Sequence, residues 1–141
     1  MMGDESASGI NLVNLREAFE GSEDVLAQML GLFLVQAAER VEQLNAHLGG
    51  WDSMGARTAL HSLVNISGAV RAYAMSELAK AVGDAVKRDD RGQALAAARA
   101  LSREADTVLS QARILLEAAK DDPRNLWNAP LPGLGGVVSP S

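Results

Sequence analysis

The sequence predicts an all-α fold, an antiparallel up-and-down four-helix bundle with a short N-terminal helix across one end. Three observations lead there. Hydrophobic residues make up 48% of the chain but aromatics only 4%, so the apolar content is Ala and Leu, which favour helix over sheet. Apolar positions recur at three- and four-residue spacing through several long runs. Capping residues and glycines stand between those runs. At 141 residues the chain has room for one domain around one core.

The first helix is predicted from Ile10 to about Phe19, with Leu12, Leu15 and Phe19 on one side and Gly21 as its stop. Ser22 then stands as an N-cap, followed by Glu23 and Asp24 in a first turn where negative charge suits the helix dipole. Leu26, Met29, Phe33, Ala37, Val41, Leu44 and Leu48 form the stripe of an amphipathic helix that ends at Gly49-Gly50, about 40 Å long. Asp52 can cap the next segment. From there to Asp89 the sequence has no Pro and no Gly pair, so periodicity permits either one very long helix or two. Asp90 with Gln93 three residues on has the pattern of a capping box. Leu95, Ala98, Leu101, Ala105, Val108, Ala112, Leu115 and Ala119 continue the stripe to Asp122-Pro123. One-faced helices joined by short connections bury their stripes by packing antiparallel. Three regions follow: an extension over 1–9, the bundle over 10–120 and a Pro/Gly-rich tail over 121–141. From Arg124 that tail reads as a loose terminus, although Trp127, Leu131 and Leu134 give it the means to fold back on the bundle or to meet a partner.

Composition excludes several kinds of chemistry. There is no cysteine, which rules out disulfides, thiolate metal sites, iron–sulfur clusters and a cysteine nucleophile. Residues 1–11 have no basic start followed by an apolar run, and no apolar stretch approaches the roughly 20 residues that span a bilayer. A cytoplasmic protein without a membrane partner is expected. A net charge of -5, with 13 basic residues scattered along the chain, argues against nucleic acid as partner. Neither histidine has a Glu three residues before it, and two histidines without cysteine make a poor transition-metal set. No metal site is expected. No Gly-x-x-x-x-Gly-Lys loop is present to bind ATP, and no Ser, His and Asp arrangement suggests itself. His47, just before Gly49-Gly50, reads as a polar group at a helix end.

His61 is the one residue that stands out. With His61 at zero on a wheel of 100° per residue, Ala59, Leu63, Ile66 and Val70 fall near the opposite pole. Arg57, Thr58, Val64, Asn65, Gly68 and Ala72 cluster around the histidine, which therefore points to solvent. Gly68 and Ala72 are small and leave the ring accessible, and Val64 exposes an apolar side chain. Between Ser53 and Ser76 there is no acidic residue, while Arg57 and Arg71 are present. A phosphoryl group would find no like charge nearby.

His61-Ser62-Leu63, then Ser67-Gly68, then Ala72 through Lys80 resemble the histidine-containing phosphotransfer (Hpt) domain, whose signature is His-x-Leu-Lys-Gly-x-x-x-x-x-Gly-Ala followed by a leucine-rich helix. The resemblance extends over roughly residues 10 to 119. It implies a four-helix bundle with the histidine exposed midway along one helix, and a break between Arg71 and Met75. It also implies that His61 accepts a phosphoryl group, with Arg57, Val64, Asn65, Gly68 and Ala72 as the phosphate or partner surface. The implied partners are the receiver domain of a response regulator and a hybrid sensor histidine kinase. No cofactor is implied for this chain, since the Mg would belong to the receiver. The sequence departs from the signature at three points: Val64 stands in place of the Lys, Asn65 in place of the first Gly, and Arg71 in place of the second. In the family the lysine is taken to stabilise phosphohistidine and the glycines to keep the docking surface open. Arg57, one turn from His61, can supply a positive charge instead. Besides the phosphocarrier, two further readings fit these residues: a module that binds a receiver or kinase without transfer, and a receiver phosphatase in which Asn65 places water.

Overall fold

A computed structural model describes residues 7–131. The helices are α1 (Leu12–Phe19), α2 (Glu23–Gly49), α3 (Ser53–Ala69), α4 (Tyr73–Lys87) and α5 (Arg91–Ala118), followed by a 3-10 helix over Pro123–Asn128. No strand occurs among the described residues, so the expected all-α class is what the chain forms. α2 packs on α3, α3 on α4, α4 on α5, and α5 back on α2. Arg40 of α2 reaches Ser62 of α3, and Asn45 of α2 lies 3.5 Å from Ser102 of α5.

The three connections between these helices are one turn used three times. Each leaves three residues outside the helices, Gly50-Trp51-Asp52, Val70-Arg71-Ala72 and Arg88-Asp89-Asp90. The middle residue is left-handed in every case, with φ of 51° at Trp51, 62° at Arg71 and 57° at Asp89. Its N–H donates to the carbonyl three residues back, at Leu48, Gly68 and Val86. The next N–H donates to the carbonyl five back, at His47, Ser67 and Ala85. Last-turn carbonyls are thereby satisfied, but a left-handed residue other than glycine costs about 1–2 kcal/mol. Side chains compensate. The Trp51 indole donates to Asp89 Oδ1 at 2.8 Å, with the Arg91 guanidinium 5.0 Å over its ring. The Arg71 guanidinium donates to the Gly68 and Ala69 carbonyls and lies 6.0 Å over Phe19. The break in the long Pro-free stretch therefore falls at residues 70–72, overlapping the interval from Arg71 to Met75 that the resemblance implies.

Asp52 and Asp90 cap α3 and α5, accepting from the Gly55 and Gln93 N–H groups at 3.0 Å. The expected box at α5 is half formed, because the Asp90 N–H is taken by the Ala85 carbonyl. Ser22 occupies the N-cap of α2 without a side-chain bond; the Glu23 carboxylate accepts from the Gly21 N–H instead.

The core is drawn from every helix, with Leu26, Leu30 and Phe33 of α2, Leu63 of α3, Met75 of α4 and Leu101 and Leu115 of α5 all buried. Three stripe positions are less buried than expected. On α2, Leu30 is buried while Met29 and Val41 are half-buried. On α5, Leu95 is 41% exposed and Ala94 takes the buried place, because the seam runs Ala94, Ala98, Leu101, Ala105 at strict four-three-four spacing.

Both flanks are tied to the bundle. Ser8 and the Gly9 N–H donate to Glu104, and the Ile10 N–H donates to the buried Gln111 side chain at 2.7 Å. As far as Leu131 the tail is packed on the bundle and is not a loose end: Leu126 is fully buried, Leu131 nearly so, and the Trp127 indole donates to Glu23 Oε2 at 2.9 Å. Apolar area outweighs the ordering of these few residues. Leu134 lies outside the described residues.

Candidate functional site

α3 is a 17-residue helix held at its start by the Asp52 cap and pressed on the core by Ala59, Leu60 and Leu63. His61 is exposed in the middle of it. Of the four residues expected opposite the histidine, Ala59, Leu63 and Val70 are buried and Ile66 is half-buried. Within α3 the helix wheel places Ala59, Leu63 and His61 on the sides expected of them.

Beside His61 runs a groove of about 330 Å³ between α3 and α4, lined on one wall by Arg57, His61 and Val64 and on the other by Lys80, Asp84 and Lys87. On the far side of the ring a second cleft of about 430 Å³ is lined by Met54, Arg57, Thr58 and His61. Asn65, one turn on, holds its amide nitrogen 3.4 Å from His61 Nε2. An amide NH₂ donates, so an Nε2 without a proton can accept from it.

The other expected surface residues divide. Gly68 is open: a Cβ built there meets nothing within 4 Å. Val64 is half-buried rather than freely exposed and packs against the core. Ala72 is fully buried and does not belong to the surface around His61. The wheel fails at Ala72 because α3 stops at Ala69, and the left-handed Arg71 turns the chain before residue 72 is reached. The absence of acid from Ser53 to Ser76 does not extend to the folded surroundings, since α4 brings Asp84 into the groove.

Sequence reasoning missed the α4 wall. Lys80, Asp84 and Lys87 share one helix face at four- and three-residue spacing, a signal that becomes readable once the α3–α4 break is located. Lys80 also pairs with Glu77 at 3.2 Å. At the opposite end of α3 His47 Nδ1 lies 3.0 Å from Asp52 Oδ2. The Gly55 N–H, and after it the neighbouring His47, hold the Asp52 carboxyl below its ordinary range; this pair serves the turn and the cap. Among the described residues no His, Cys, Asp and Glu side chains gather in a group that could hold a metal ion, and no helix is long and apolar enough to cross a membrane.

The arrangement offers a solvent-facing imidazole flanked by cationic side chains from two helices and by Asp84. Such a site suits a nucleophile that takes up and holds an anionic group delivered from outside. A family model described as Hpt domain matches residues 28–122, from the first turns of α2 to the end of the bundle. No curated protein and no solved structure matches the chain.

Proposed function

The chain belongs to the Hpt-domain family, which serves phosphotransfer in two-component signalling, and on that premise we propose that His61 is the phosphoryl acceptor of a cytoplasmic phosphorelay. The donor is the aspartyl phosphate of a receiver domain, charged by a hybrid sensor histidine kinase. The Nε2 lone pair attacks phosphorus, and the N–P bond forms as the P–O bond to the aspartyl carboxylate breaks. The carboxylate leaves with the electron pair and Nδ1 keeps its proton. The reverse step on a second receiver's aspartate restores the neutral ring.

The observation that carries this reading is the exposed His61 on a groove edged by Arg57, Lys80 and Lys87. Only a neutral ring has a lone pair to attack with, and cationic side chains beside it attract the phosphoryl oxygens. Bundle and receiver divide the work: the bundle positions a nucleophile, and the receiver brings the activated phosphoryl group. Incubation with a phosphorylated cognate receiver is expected to give acid-labile, alkali-stable label that disappears in His61→Gln and survives in His47→Gln. Arg57→Ala should slow uptake without abolishing it.

A second reading, a module that binds a receiver without transfer, draws on Val64 in place of the signature lysine and on Asp84 inside the groove. Tight binding of a receiver with no label on His61 would decide for it.

A further inference from the structure

We propose that Lys80 of α4 binds the phosphoryl group on His61, a role that rests on the phosphocarrier reading and replaces, from across the groove, the charge that the signature lysine would give from position 64. Two contacts fix which residues of α3 and α4 face each other. The Ser76 hydroxyl donates to the Val64 carbonyl at 3.3 Å, and a Cβ built on Gly83 would meet Leu60 Cδ1 at 3.9 Å. Lys80 stands between Ser76 and Gly83 on α4, so it comes level with the turn of α3 from Leu60 to Val64, which carries His61. Lys80, His61 and Val64 line the same groove of about 330 Å³. Helix axes pack about 8–10 Å apart, an interval that the flexible four-carbon stem of a lysine can cross. Of the three cations that line the groove, Arg57 is one turn before His61 and Lys87 is one turn beyond Gly83. Lys80 is the one at the Val64 end.

The acids beside Lys80 define its task. Asp84 lines the same wall and repels a phosphoryl dianion, and Val64 brings no charge to offset it. The Lys80 ammonium donates to Glu77 Oε2 at 3.2 Å on its own helix, with both side chains more than half exposed. An exposed pair of this kind is worth little, whereas a dianion gives an ammonium charge-assisted hydrogen bonds of about twice the ordinary strength. Glu77 is therefore a weak partner that the phosphoryl group displaces, and it competes with that group for Lys80.

The test follows the lifetime of phosphohistidine after labelling by phosphoramidate, whose P–N bond breaks as ammonia leaves and the N–P bond to His61 forms. In the decay water attacks phosphorus, the electron pair of the N–P bond returns to the ring, and orthophosphate leaves. Lys80→Gln should shorten the lifetime about two- to tenfold, the loss of one charge-assisted hydrogen bond at an exposed site, and Lys80→Arg should keep it near wild type. Glu77→Gln should lengthen it. Lys120→Gln removes a lysine paired in the same way with Glu117 and should leave it unchanged. Adding Val64→Lys to Lys80→Gln should restore the lifetime, since the charge returns at the signature position. An unchanged lifetime in Lys80→Gln, an equal loss in Lys120→Gln, or a loss that Val64→Lys does not reverse would each overturn the role of Lys80. If His61 takes label from neither phosphoramidate nor a phosphorylated receiver, the phosphocarrier reading itself fails.

Discussion

Asn65 places its side-chain amide 3.4 Å from His61 Nε2, one helical turn further along α3. An Nε2 without a proton can accept from that amide, a contact open to the tautomer that carries its proton on Nδ1. Asn65→Ala should raise the population protonated at Nε2, read from long-range ¹⁵N–¹H correlations of the ring. Phosphoryl uptake should slow by about two- to tenfold, the span of one ordinary hydrogen bond. An unchanged tautomer ratio would take Asn65 out of the site.

Val64 holds the position of the signature lysine and lines the groove with Lys80 and Lys87. Val64→Lys should lengthen the lifetime of phosphohistidine, because an ammonium there can extend along the half-buried wall and reach the phosphoryl oxygens. Binding to the native receiver should weaken. If lifetime and affinity both stay at wild-type values, Val64 has no part in either.

His61 and Leu63 are two residues apart on one helix but lie on opposite sides of it, exposed and fully buried respectively. Leu63→Ala should cost about 2–5 kcal/mol in urea unfolding. His61→Ala should stay within about 0.5 kcal/mol of wild type. Unfolding of His61→Ala would contradict the exposed orientation.

Arg71 provides a test of the left-handed turn. Arg71→Ala and Arg71→Gly both lose the guanidinium bonds to Gly68 and Ala69 and the contact over Phe19, but only alanine retains a Cβ at φ 62°. Arg71→Gly should therefore be the more stable of the two by about 1 kcal/mol. Equal stabilities would show that the turn relaxes when the side chain is removed.

Glu23 links the 3-10 helix to α2. The Trp127 indole bond and then the Gly21 N–H hold its carboxyl below the ordinary value of 4.5, while Arg16 lies 5.6 Å over the Trp127 ring. A depressed carboxyl contributes stability that is fully present above the unfolded value and is lost as pH falls through the folded one. The attachment of the 3-10 helix should therefore hold at neutral pH and loosen below about pH 4.5. In a Trp51→Phe background, Trp127 fluorescence should report that change, and Glu23→Gln should flatten its pH dependence.

Local chemistry decided much of this in advance. The N-caps at Asp52 and Asp90, the stop at Gly21 and the end of α2 at Gly49 act within a few residues of themselves, and each was legible in the chain. The orientation of His61 was legible for the same reason: within an unbroken helix, 3.6 residues per turn fixes which side chains face away from Ala59 and Leu63.

What the sequence by itself determined, then, is the all-α class, the long one-faced helices and a histidine turned to solvent, because each depends on periodicity and neighbours in the chain. Only the tertiary structure decided what surrounds that histidine. Its turn at Val70-Arg71-Ala72 contains neither Gly nor Pro, so no local signal marks the place where the wheel ceases to apply, and Ala72 goes into the core instead of beside the ring. The same turn folds α4 back on α3 and sets Lys80, Asp84 and Lys87 across from His61, some 20 residues along the chain. Packing brought them together, since their separation in sequence carries no trace of the groove they share.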